Sequence, residues 1–157
     1  MTLPAQLSSG LRRYVEALDR RFGDRLVSVV LFGSWARERA RPDSDLDLLV
    51  VIRDLPSDRS ERHRALYQLP REVSEAFAEV ASPIALTPEE AERVKPYYLG
   101  MLSGHVLLHD AGGFFAGILQ RLQQRLGELG ARRYVDKDGY EYWDLKPDWK
   151  PGDVVVL

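Results

Sequence analysis

Apolar runs and amphipathic segments alternate along the chain, and their two periods divide it into strands and helices. Leu7, Leu11, Val15, Leu18 and Phe22 recur at spacings of three and four, which places them on one face of a first helix, and Gly23 stands where that helix would end. Leu26 to Phe32 is a short apolar, β-branched run bounded by Asp24 and Gly33, the pattern of a buried strand, and Leu46 to Ile52 is a second. Between them, Gly33 to Arg39 has room for a turn of helix, and Ala40 to Ser44, with Pro42, reads as a polar loop.

Further along, Arg59 to Ala78 reads as a helix with Leu66, Leu69, Val73 and Phe77 inward, and Pro70 is expected to kink it or divide it in two. Val80 to Leu86 is a third strand. Thr87, Pro88 and Glu90 match a helix start, with a threonine cap, a proline at the first position and a glutamate reaching back. His105 to His109 is a short strand, and Asp110 to Gly113 a turn. Phe115, Ile118, Leu119, Leu122 and Leu126 mark a helix from Phe114 to Leu129 that Gly130 ends. Tyr134 to Lys137 and Tyr140 to Trp143 flank Asp138-Gly139, which predicts a tight hairpin, and the tail from Leu145 ends in a strand-like Val154 to Leu157. One domain is expected over 1–157, with a core at about 24–110 and a C-terminal helix, hairpin and tail over 113–157.

Composition narrows the chemistry. With no cysteine and three histidines, His63, His105 and His109, the chain lacks the soft ligands of zinc and iron-sulfur sites and leaves hard cations on carboxylates, magnesium first. A net charge of -2 gives no basic field for gripping long nucleic acid. No apolar run approaches the roughly 20 residues that span a bilayer, so no membrane is expected. Met1 to Leu11 lacks the basic and apolar stretches of a secretory signal, which together with the missing cysteines predicts a cytoplasmic protein.

The informative stretch is Leu31 to Val50. An apolar strand runs into Gly33-Ser34, and Asp45-Leu46-Asp47 opens the next one. Residues i and i+2 of a strand share a face, so the two carboxylates stand together while Leu46 and Leu48 point into the core. Their desolvation and mutual repulsion have no use in packing, whereas a divalent cation neutralises both. Magnesium takes one or two carboxylates plus substrate phosphates, which this pair could supply. Gly33 lets backbone approach a phosphate closely, and Ser34 adds a hydroxyl.

Gly33-Ser34-Trp35-Ala36-Arg37, followed by Ser44-Asp45-Leu46-Asp47-Leu48, resembles the signature of the polymerase β nucleotidyltransferase superfamily, in its minimal, antitoxin-like branch. The resemblance implies an α/β (α+β) fold, a mixed β-sheet with helices mainly on one face. It implies two Mg2+ ions on Asp45 and Asp47 as metal ligands and catalytic residues. It also implies transfer of a nucleotidyl group, usually adenylyl from ATP or another nucleoside triphosphate, to a hydroxyl. Gly33 and Ser34 match the phosphate-binding pair, Arg37 matches an arginine that supports the phosphates or the acidic loop, and Ser44 belongs to the nucleotide-binding loop. In this branch the acceptor is often a tyrosine of an all-helical partner toxin, which would make this chain the antitoxin. No evident second domain is there to hold a small-molecule acceptor such as an aminoglycoside.

Active members carry a third acid on a following strand, but Val80 to Leu86 has none, and Ser82 stands about where it is expected. A second reading is therefore a catalytically degenerate module that binds nucleotide, metal or a protein partner. Glu79 could reach the site, although Glu72, Glu75 and Glu79 form one helical stripe that reads as a solvated face. The tail YWDLKPDWKPG could fold over the site to supply a carboxylate or an aromatic platform, or close a core or a homodimer contact. The histidines read as packing or surface residues.

Overall fold

The computed structural model describes residues 3–157. Its elements run α1 (Ala5–Phe22), β1 (Leu26–Phe32), α2 (Gly33–Ala36), β2 (Leu46–Ile52), α3 (Arg59–Val73), α4 (Glu75–Val80), β3 (Ala81–Leu86), α5 (Pro88–Ala91), α6 (Pro96–Met101), β4 (Val106–Asp110), α7 (Phe114–Leu129), β5 (Arg132–Val135) and β6 (Glu141–Asp144). A four-stranded sheet in the order β3-β2-β1-β4 organises them, and β5 pairs with β6 apart from it. β1 is antiparallel to β2 and β4, while β2 is parallel to β3, so the sheet is mixed, as expected.

Helices cover both faces, where the resemblance implied mainly one. The reason is written in β1 and β2, which are apolar on both sides and need two partners. Val29, Leu31, Leu48 and Val50 pack under α1, α3 and α4 with Leu11, Tyr14, Leu66 and Phe77. Val27, Val30, Leu49 and Val51 pack under α6 and α7 with Tyr98, Met101, Phe115 and Ile118. The five predicted inward residues of α7 are all buried. Each contributes about 1.5–3 kcal/mol by leaving water, so packing rather than intrinsic propensity holds this helix.

Several boundaries differ from expectation for local reasons. Pro70 lies inside α3, and the division falls at Ser74, whose extended backbone starts α4 and whose hydroxyl accepts from the Phe77 N–H. β4 is shifted one residue along, so that Asp110 ends it. The Asp110 carboxylate accepts from the Ser28 hydroxyl at 2.6 Å and caps α7 through the Phe115 and Ala116 amides. The hairpin connection spans Asp136 to Tyr140 instead of the two residues Asp138-Gly139, because the Asp136 carboxylate gathers the amides of Asp138 and Tyr140. His105 lies outside the strand, with Nδ1 2.8 Å from the Met101 carbonyl.

The tail closes on itself. Lys146 Nζ meets the Asp153 carboxylate at 2.7 Å, the Trp149 indole donates to the Asp153 carbonyl, and Arg125 holds the Val156 carbonyl. Among the described residues no helix is long and apolar enough to cross a membrane.

Candidate active site

Strand pairing brings the two halves of the Leu31–Val50 motif together. Phe32 is the register partner of Asp47, so the residue that follows Phe32, Gly33, comes to lie directly against the Asp47 side chain. Gly33 has φ +74°, and a Cβ built there would stand 2.0 Å from Asp47 Oδ2. Glycine is therefore required twice, by the left-handed backbone and by contact with the carboxylate. Asp47 alternates with Leu48 and faces the side of the sheet on which Phe32 stacks on Tyr97 at 5.4 Å. Asp45 precedes the first residue of β2 and is exposed, while Asp47 is half-buried.

The intervening loop is braced by its own polar groups. The Trp35 indole donates to the Ser44 carbonyl at 3.0 Å, and the Ser44 hydroxyl accepts from the Arg41 amide at 2.7 Å. Ser44 thus holds the loop that delivers Asp45. Arg37 lies over the turn, its Nε donating to the Gly33 carbonyl at 3.3 Å. Ser34 sits at the second position of α2, where its carbonyl accepts from the Arg39 amide at 2.9 Å.

Electrostatics follow from this packing. Burial pushes the Asp47 carboxyl above its ordinary value, the negative charge of Asp45 adds to the effect, and Arg37 opposes it. Among the described residues, neither Asp45 nor Asp47 accepts a hydrogen bond or forms an ion pair, and no cluster of three or more His, Asp or Glu is arranged to hold a metal. Two adjacent carboxylates with open coordination suit a hard divalent cation whose remaining ligands are phosphate and water. In β3 the register partner of Asp47 is Ser82, exposed on the same face, and no carboxylate occurs on that strand.

Two supporting features were not singled out from sequence. Gly104, before β4, packs against α2 so closely that a Cβ would stand 2.7 Å from the Ala36 carbonyl oxygen. Arg39 ties the hairpin to the turn, donating to the Gly139 carbonyl at 2.6 Å and approaching Glu141 at 3.5 Å. Glu141 in turn accepts from Ser103 at 2.5 Å. The Ser103-Gly104 pair between helix and strand was the available signal; Glu141 carried none, because its partners are distant in sequence.

Comparison with known proteins identifies the family of the chain. The sequence model of the nucleotidyltransferase domain family matches residues 11–96. A protein of Methanocaldococcus jannaschii, provisionally named a protein adenylyltransferase, is 33% identical over 151 residues, covering 95% of this chain and 97% of that protein. A chain in the crystal structure of a toxin–antitoxin with AMP-PNP superposes with a TM-score of 0.49 at 16% identity, over 76% of this chain and 92% of that one. A provisionally named nucleotidyltransferase of Sulfolobus solfataricus gives 0.46 at 22% identity, over 70% and 91%. The strand, Gly-Ser turn and paired aspartates lie within the matched region, and the chain belongs to the nucleotidyltransferase domain family.

Proposed function

We propose that this protein is a magnesium-dependent protein adenylyltransferase, moving AMP from ATP to a hydroxyl side chain of a partner protein. The observation that carries this reading is the pairing of Asp45 with Asp47, two carboxylates that accept no hydrogen bond and form no ion pair among the described residues, with Asp47 set against the bare Cα of Gly33. The family supplies the reaction class, and the name of the M. jannaschii relative supports a protein acceptor.

In this reading Asp45 and Asp47 hold Mg2+, Gly33 and Ser34 line the triphosphate, Arg37 offsets its charge, and Ser44 fixes the loop that presents Asp45. Magnesium, when bound there, neutralises charge on the triphosphate and the leaving pyrophosphate. The acceptor oxygen bonds to the α-phosphorus, the bond from that phosphorus to the bridging oxygen breaks, and pyrophosphate leaves with the electron pair. The acceptor's proton passes to solvent where Ser82 leaves the site open. The protein acts by position and charge. An all-helical toxin is the partner that the resemblance suggests, with this chain as its antitoxin.

The bare β3 strand favours one rival, a domain that binds nucleotide but transfers nothing. The test is incubation of the chain with ATP labelled at the α-phosphate, magnesium and the co-purified or co-expressed partner. Label on the partner, absent with Asp45→Asn/Asp47→Asn, is the expected result; nucleotide binding with no label on any protein would favour the rival.

A further inference from the structure

A groove of about 1010 Å3 runs along the outer edge of β3, between α3 and α4 on one side and the α5 segment on the other. Among the described residues β3 pairs only with β2, so its outer edge offers backbone groups to this groove. Ser82 lines the groove and is also the register partner of Asp47, so that end of the groove lies one strand away from Asp47.

Charge varies along its length. Glu75 and Glu79 stand at the Ser82 end, since α4 leads directly into β3, and Arg71 in the last turn of α3 lines the groove with them. The Leu86 end is basic. The bidentate contact of Arg62 with Glu90, at 2.6 and 2.8 Å, fixes the start of α3 there, and Arg59, Arg93 and Lys95 gather around it.

We propose that this groove receives the acceptor as an extended polypeptide segment, added as a strand to the outer edge of β3. Its hydroxyl residue lies at Ser82 beside Asp47, and acidic residues lie at the basic end. This rests on the nucleotidyl-transfer reading above. A polypeptide is the occupant that complements both features, because its main-chain groups satisfy a strand edge, which a nucleic-acid backbone does not, and its acidic side chains pair with the basic end. Pro83 removes one amide from the edge, so the added segment pairs through the remaining edge groups, the Pro83 carbonyl among them. At about 3.3 Å per residue, the distance from Ser82 to Leu86 places the acidic residues about four to six positions from the acceptor hydroxyl.

The test measures binding of short fluorescent peptides to the full chain by anisotropy, without nucleotide. Each peptide has a β-branched, extended sequence with one tyrosine and, about five positions away, either two glutamates or two lysines. The expected result is about ten-fold tighter binding of the glutamate peptide, with the preference reversed in Arg59→Glu/Arg93→Glu. Both arginines are exposed, so the fold should tolerate the change. Equal affinities, or a preference that survives charge reversal, overturn the proposal. Peptide preference without label transfer would keep the groove and reject the transferase reading; label transfer without preference would reject the groove alone.

Discussion

Asp110 and the Asp45–Asp47 pair stand at strand ends in one sheet, and the fold treats them in opposite ways. Asp110 is saturated. Its Oδ1 accepts from the Ser28 hydroxyl and the Phe115 amide, and its Oδ2 from the Ala116 amide at 3.0 Å. Asp45 and Asp47 receive nothing comparable among the described residues, and Asp47 is instead crowded by its neighbour's charge and by burial. A carboxylate's role can thus be read from what satisfies it. Asp110 holds β4 to α7, whereas the pair is left for a ligand from outside the chain.

The contrast can be broken or sharpened by substitution. Asp110→Ala should have the largest effect on stability. It removes the cap of α7 and strands the fully buried Ser28 hydroxyl, for a loss of about 3 kcal/mol. Urea denaturation measures this, and an unchanged midpoint would mean that Asp110 is not saturated in the way described. Magnesium-dependent nucleotide binding by the folded fraction should survive that change.

Gly33→Ala comes next. A side chain at φ +74° costs about 1 kcal/mol, and collision with Asp47 raises the loss to about 2 kcal/mol unless the carboxylate moves away. Either response should weaken nucleotide binding. Wild-type affinity together with wild-type stability would remove Gly33 from the site.

The smallest effect belongs to Arg62–Glu90, an ion pair remote from both regions. The Arg62 hydrogen bond, opposed by burial and helped by the Thr87 amide, holds the Glu90 carboxyl below its usual range. A lowered folded-state pKa means that the pair's stabilisation is fully present above the unfolded value of about 4.3 and is lost as pH falls through the folded value. Glu90→Gln keeps the helix cap and should cost about 1 kcal/mol at pH 7, a figure reduced by the solvent reaching Glu90. In urea titrations the difference from wild type should shrink at about pH 3; an equal difference at both pH values would show that the charge is irrelevant.

How much could be read in advance depended on whether the determinants were local. β1, β2 and the paired aspartates were legible because uninterrupted apolar runs and an i, i+2 spacing carry their own geometry. The same runs held the signal for a second covered face, in Val27, Val30, Leu49 and Val51, which the resemblance to a one-sided sheet outweighed. The break at Ser74 and the longer hairpin turn at Asp136 arise from single side chains competing for backbone amides, a contest that periodicity does not weigh. The contact between Gly33 and Asp47 needed the register of two strands. The charged groove beside β3 needed the packing of α3 against it, so neither was visible in the order of residues.

The central claim is that Asp45 and Asp47 bind magnesium with nucleotide. The most direct measurement is calorimetric titration of the chain with ATP, with and without magnesium, in wild type and in Asp45→Asn/Asp47→Asn. The expected result is magnesium-dependent binding by the wild type and none by the variant, with the variant at least as stable, since two repelling charges are gone. Equal binding by both proteins would contradict the account.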